Sequence, residues 1–139
     1  MENHYVFMIV IMIISGLLSA MYIWAYQISD IRLTMNDVYM IFLMTGWMLF
    51  FMTFMNGDYL LSGMSFLFVV IIFISIRKQL FITKRQYFRG MIPHHSMAVL
   101  MSERLLENDQ SLSRSERAFV QNIIKTQRDE IDWMKTKIL

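Results

Sequence analysis

Three long stretches without a charged side chain limit what this chain can fold into. No Asp, Glu, Lys or Arg occurs in residues 5–29, 38–57 or 59–76. Each stretch has about the 17–25 residues that a helix needs to cross the hydrocarbon core of a bilayer. Since lipid cannot satisfy free backbone groups and three segments cannot close a barrel, each span must be helical. The predicted transmembrane helices cover about residues 5–27, 38–56 and 59–76.

The overall composition agrees with a small integral membrane protein. Of the 139 residues, 56% are hydrophobic and 17% are charged, against about 45–50% and about 25% in soluble domains. A chain this short cannot bury so much apolar surface in its own core. The apolar content, the single Pro and the lack of Cys exclude a disordered chain, a collagen and a disulfide scaffold. One feature needs its own explanation: the chain has 15 Met.

The flanking charges predict how the spans are arranged. Asn56-Gly57-Asp58 predicts a tight turn, so the second and third spans should form an antiparallel hairpin. Basic residues follow the third span, at Arg77, Lys78, Lys84, Arg85 and Arg89. By the positive-inside rule, the N-terminus lies outside and the C-terminal region is cytoplasmic. The basic cluster is interpreted as an anchor to anionic headgroups, and no nucleic-acid partner is expected.

A second domain is predicted over residues 81–139, after a transmembrane region of residues 1–80. Ser113-Arg114-Ser115-Glu116 is typical of a capping box that opens a final helix. Apolar positions then recur at steps of four and three, as in a coiled-coil seam, at Val120, Ile124, Gln127, Ile131, Met134 and Ile138. Two amphipathic helices make a thin core, so this hairpin is expected to complete a helical bundle by homo-oligomerisation.

The preceding helix is predicted from Lys84 to Glu107. Its expected apolar face consists of Phe88, Met91, His95, Ala98, Val99, Ser102, Leu105 and Leu106. Pro93 lies inside this helix and lacks a backbone donor, so a kink is expected near residues 90–93.

The chemistry is concentrated in this helix. His94, Met97 and Met101 follow one edge of it, whereas Met91 and His95 lie nearer the centre of the apolar face. Imidazole and thioether ligands without a thiolate suit a soft ion such as Cu(I). The facing helix offers Met134 and Glu130 as further candidate metal ligands, with Gln127 as a supporting polar residue.

Each of these residues also has a structural interpretation. A His on an apolar face is commonly a hydrogen-bonded core residue, and Met commonly fills gaps in a core. The alternative function is therefore a structural or assembly membrane protein, whose His, Gln and Met residues form a buried network without metal. The second span carries a Met stripe, interpreted as flexible packing against the other spans, at Met40, Met44, Met48, Met52 and Met55. No catalytic signature is present, so an enzyme is not expected.

The motif around the two histidines resembles the DUF305 family. The matching residues are Phe88-x-x-Met91-Ile92-Pro93-His94-His95-x-x-Ala98-x-x-Met101 and Ile124-x-x-Gln127-x-x-Glu130-Ile131-x-x-Met134. The resemblance implies a ferritin-like helical fold and, as in some members, copper binding and copper tolerance. The N-terminal spans also resemble a membrane-anchored subgroup of this family. The metal ligands that it implies are Met91, His94, His95, Met101 and Met134. Many members carry an acid shortly before the motif's aromatic residue, where this chain has Lys84-Arg85-Gln86.

The sequence thus predicts an all-α membrane protein with three spans and a C-terminal amphipathic hairpin. Its expected function is Cu(I) binding in metal handling or tolerance. A further metal-handling protein is a possible partner.

Overall fold

The chain forms five α-helices in a computed structural model, and residues 2–138 contain no strand. The main chain is described over residues 2–138, and the side chains over residues 5–20 and 22–138. Met1 and Leu139, the ends of the two predicted domains, lie outside these ranges. The helices are α1 (Glu2–Leu18), α2 (Met35–Met55), α3 (Tyr59–Arg77), α4 (Lys84–Asn108) and α5 (Arg114–Ile138). Two 3₁₀ turns, Met21–Trp24 and Ile28–Asp30, lie between α1 and α2.

Three segments are long and apolar enough to cross a membrane, as the uncharged stretches predict. They are Tyr5–Trp24, Met35–Met55 and Tyr59–Arg77. The first segment ends in a 3₁₀ turn and so is regular α-helix only as far as Leu18.

The residues group into two compact units. We call residues 2–20 and 35–81 the apolar unit, and residues 21–34 and 82–138 the hairpin unit. The 21–34 segment, which joins the first two apolar segments, therefore packs with the C-terminal helices. We call it the connector.

Small residues bring the helices of the apolar unit together. A Cβ atom on Gly46 of α2 would lie 2.8 Å from Val69 Cγ2 of α3, so only glycine allows this approach. The Thr45 and Ser65 hydroxyls are buried, and each donates a 2.8 Å hydrogen bond to a carbonyl of its own helix. Small residues and internally satisfied hydroxyls are typical of helix contacts in membranes.

The tight turn between α2 and α3 has the predicted form. Gly57 has a φ of +77°, a conformation that favours glycine. The Asp58 side chain caps α3 by accepting a 3.2 Å hydrogen bond from the Leu61 amide.

Most of the Met stripe of α2 is exposed in the single chain. Its exposed side chains are Met40, Met44, Met48 and Met55, and Met52 is half-buried.

In the hairpin unit, α4 and α5 pack side by side around an apolar core. This core consists of Ile92, Val99, Ile131 and Met134, with Phe88, Met91, Ile124 and Ile138 packed around it. The predicted seam of α5 is confirmed, because its members are buried or half-buried. The capping box is confirmed as well: Ser113 N donates to Glu116 Oε2 (2.8 Å), and Glu116 N donates to Ser113 Oγ (3.3 Å).

The buried face of α4 differs from the predicted one. Ile92 and Ser96 are fully buried, whereas Met91 and His95 are only half-buried. The reason is that the connector covers a flank of α4 that a two-helix hairpin would leave in solvent. The helix continues through Pro93, which is itself buried.

Candidate functional site

The two adjacent histidines of α4 have different surroundings. Successive residues of a helix point about 100° apart, so only one of the two can face α5. His94 is exposed, and His95 is half-buried. This matches the divergence that the sequence predicts for the pair.

His95 is held by a carboxylate of α5. Its Nδ1 atom lies 2.9 Å from Glu130 Oε2. The same oxygen accepts a 3.3 Å hydrogen bond from Gln127 Nε2, one helical turn earlier. The carboxylate favours the ring tautomer that is protonated on Nδ1, which leaves Nε2 with a free lone pair. The structure thus joins three of the predicted residues into one polar cluster, which we call the His95 cluster: His95, Glu130 and Gln127.

The surroundings lower the pKa of His95 below its usual 6.5. Burial is the main cause and His94 adds to it, while the charge of Glu130 and its hydrogen bond act in the opposite direction. Neutral His95 is therefore the favoured form in the folded protein at neutral pH, and this is also the form that binds metals.

This shift predicts how stability depends on pH. Between the lowered pKa of His95 and 6.5, the unfolded chain binds more protons, so the free energy of unfolding decreases as the pH falls through that window. We expect His95→Gln to remove part of this decrease, whereas His94→Gln should have a smaller effect because His94 is exposed. Urea unfolding of the detergent-solubilised protein at pH 7.5 and at lower pH would measure this decrease in the free energy of unfolding. If the free energy of unfolding changed equally with pH in the wild type and in His95→Gln, the expectation would be contradicted.

The predicted thioether ligands lie at different depths. Met134 is buried in the apolar core and Met91 packs against that core. Met97 is half-buried, whereas Met101 is 56% exposed. Among the side chains of residues 5–20 and 22–138, no three His, Asp or Glu are grouped so that they could hold a metal ion.

Sequence reasoning missed a second polar cluster, centred on Asp30 of the connector. Asp30 is 2% exposed, and its Oδ1 lies 2.6 Å from Lys135 Nζ of α5. Its Oδ2 accepts a 2.8 Å hydrogen bond from the buried Ser96 hydroxyl, which in turn accepts a 2.8 Å bond from the Tyr26 amide. We call these four residues the Asp30 cluster. One signal was available, because Asp30 is the first charge after an uncharged stretch of the chain.

The Asp30 cluster borders a half-open cavity of about 100 Å³. Arg128, which also lines the cavity, lies over the Tyr26 ring, 5.4 Å from the centroid, and pairs with Glu103. The cavity walls combine both signs of charge with apolar side chains, which include Val99 and Ile131.

Comparisons with known proteins agree with the resemblance seen in the motif. Residues 81–138 match a family described as "Domain of unknown function (DUF305)". A protein of Acanthamoeba polyphaga mimivirus, named "Uncharacterized protein L153", is 37% identical over 134 residues. That alignment covers 93% of this chain and 87% of the viral protein, so it includes the apolar helices and the connector. No solved structure matches the chain.

The match covers α4 and α5, with both histidines, Glu130 and Gln127 inside it. The viral relative extends the similarity to the apolar region. This chain belongs to the DUF305 family.

Proposed function

We propose that this protein crosses the bilayer three times and binds Cu(I) through its hairpin unit, in metal handling or tolerance. Three helices of suitable length and apolarity support the membrane part of the proposal. The hairpin unit supports it as well, because the connector and residues 82–138 form one compact unit and so must lie on the same side of the bilayer. Two spans separate these parts, and an even number of crossings returns the chain to the same side. The basic residues after α3 then favour the cytoplasmic side.

The observation that carries the metal proposal is the 2.9 Å approach of Glu130 to His95 Nδ1. Histidines that ligate metals almost always present their second ring nitrogen to a carboxylate or carbonyl, which fixes the tautomer and raises the basicity of the ligand. In this chain Glu130 would serve that purpose, and Gln127 would hold Glu130. His95 Nε2 is then the proposed ligand atom.

Thioethers would complete the ligand set. Met91 and Met134 lie in the apolar core of the same helix pair, and His94 is exposed one residue from His95. Imidazole and thioether donors in a chain without Cys favour Cu(I) over Zn²⁺. Exposed His94 and Met101 could contribute to a site shared with a second copy of the chain, as expected for a hairpin that completes a four-helix bundle.

Cu(I) titration of the full chain in detergent, under reducing conditions and against a competing chelator, tests the proposal. We expect stoichiometric binding that is lost in His94→Ala/His95→Ala. Glu130→Gln should weaken binding about 10–100-fold, because it removes the group that orients His95. The matched control is His4→Ala, which removes the third histidine of the chain and should leave the affinity unchanged. Unchanged affinity in the double variant would contradict the metal assignment.

A second function is favoured by the same contacts. The His95 cluster links α4 to α5 without any metal, so it could fix the register of an assembly instead. Under this alternative, His94→Ala/His95→Ala changes the subunit mass of the metal-free protein, measured by light scattering in detergent. Under the copper proposal, the metal-free subunit mass is unchanged and only Cu(I) binding is lost.

A further inference from the structure

Two polar groups of the connector turn towards the helices of the hairpin unit. The Tyr26 amide meets Ser96, and the Asp30 carboxylate meets Ser96 and Lys135. These contacts leave Asp30 only 2% exposed. The ion pair of Asp30 and these hydrogen bonds therefore hold the connector against α4 and α5.

The connector also exposes apolar side chains, next to the exposed polar side chains of Gln27 and Ser29. Beyond Trp24, where the first candidate span ends, the exposed large apolar side chains are Tyr26, whose ring lies under Arg128, and Ile28, Ile31 and Leu33. Ile28 is 88% exposed, in a 3₁₀ turn whose last residue is the buried Asp30. Single exposed apolar side chains are ordinary, but such a series in a short segment indicates a contact surface.

Chain continuity indicates what this surface meets. The connector lies between two candidate spans, which end at Trp24 and begin at Met35. The ten intervening residues, 25–34, would reach about 35 Å if fully extended, and the segment must leave the membrane and return to it. Its 3₁₀ turn shortens it further, so the connector cannot move far from the bilayer surface.

The residue types also suit that location. Trp and Tyr are enriched where membrane meets water, and apolar side chains next to them can enter the boundary between headgroups and acyl chains. Arg32 adds a cationic group to the same segment. A basic side chain beside an apolar face favours anionic lipid.

We infer that the exposed apolar side chains of the connector form a lipid-binding surface, which lies in the headgroup–acyl boundary while the Asp30 cluster fastens the hairpin unit to it. The partner is the bilayer surface itself. The inference rests on the proposed membrane insertion, and it adds that the connector binds the hairpin unit and lipid at the same time.

Because the chain has no Cys, single-cysteine variants of the full protein can test this by spin labelling. The protein is placed in vesicles of phosphatidylcholine and phosphatidylglycerol, and label collisions with oxygen and with a water-soluble nickel chelate are compared. Ile28→Cys reports on the connector. Two controls accompany it: Met48→Cys on the exposed stripe of α2 and Thr126→Cys on the exposed face of α5.

At residue 126 we expect the label to collide more often with nickel than with oxygen, and at residues 28 and 48 more often with oxygen. The logarithm of the oxygen-to-nickel collision ratio should therefore be negative at residue 126 and positive at residues 28 and 48. A nickel-accessible label at residue 28 with an oxygen-accessible label at residue 48 would overturn the lipid surface while leaving membrane insertion intact. Nickel access at both positions would overturn membrane insertion, and the inference with it. Low collision rates with both reagents at residue 28 would place it against protein and also overturn the inference.

Discussion

Replacing Asp30 with alanine is expected to lower the free energy of unfolding of the hairpin unit by about 1–3 kcal/mol, because a buried hydroxyl is left without its acceptor and an ion pair is lost. Lys135 would lose the carboxylate that lies 2.6 Å from its ammonium group. The buried Ser96 hydroxyl would lose its acceptor at the same time. The loss should also free the connector from α4.

Urea titration of the full chain in detergent would measure this effect. Trp133 reports on the hairpin unit because its ring meets Phe88 edge-on, 5.4 Å between centroids. Trp24→Phe and Trp47→Phe make it the only Trp. The matched control is Asp132→Ala, an exposed acid on α5 that borders the same cavity; its expected effect is within about 0.5 kcal/mol. Equal losses in the two variants would contradict the role given to Asp30.

The second large effect is expected at the centre of the apolar core. Ile92 is fully buried among Val99, Ile131 and Met134. Ile92→Ala removes buried carbon atoms and leaves a cavity, so it should lower the free energy of unfolding by about 2–5 kcal/mol. Ile92→Val, which removes one methylene, should cost about 0.5–1.5 kcal/mol.

The same urea titration compares Ile92→Ala with Met91→Ala and with Leu105→Ala, the latter on an exposed position of α4. The order of losses expected from burial is Ile92, then Met91, then Leu105. A larger loss at Met91 than at Ile92 would instead support the apolar face that the sequence predicts. Cu(I) binding should survive Ile92→Val, because that change leaves every proposed ligand in place.

Local patterns were sufficient to predict the helices. The three uncharged stretches, the turn at Gly57 and the capping box at Ser113 each depend on residues close together in the chain, and the structure has all of them. The seam of α5 was also predictable, because one helix face repeats at regular steps. Gln127 was predicted on that seam, and Glu130 was predicted as a residue of the same helix that faces α4. The contact of Glu130 with both Gln127 and His95 needed coordinates.

The buried face of α4 was not predictable in the same way. The sequence pattern treats α4 as one half of a two-helix hairpin and so places Met91 and His95 towards the centre. The connector adds a third element, and it buries Ser96 instead. A serine is polar, so the hydrophobic pattern of the helix gives no sign that Ser96 is buried. Its burial depends on a hydrogen bond to Asp30, which lies 66 positions away in the chain.

The sequence by itself determined that this is an all-α chain with three membrane-length helices and a C-terminal hairpin of the DUF305 family. These properties follow from hydrophobic length, helical period and capping, which act over a few turns of helix. Only the tertiary structure decided that the connector belongs to the hairpin unit, that His95 faces Glu130, and that Asp30 joins Ser96 to Lys135. The physical reason is that ion pairs and burial depend on proximity in space, and no spacing rule relates residues 30, 96 and 135.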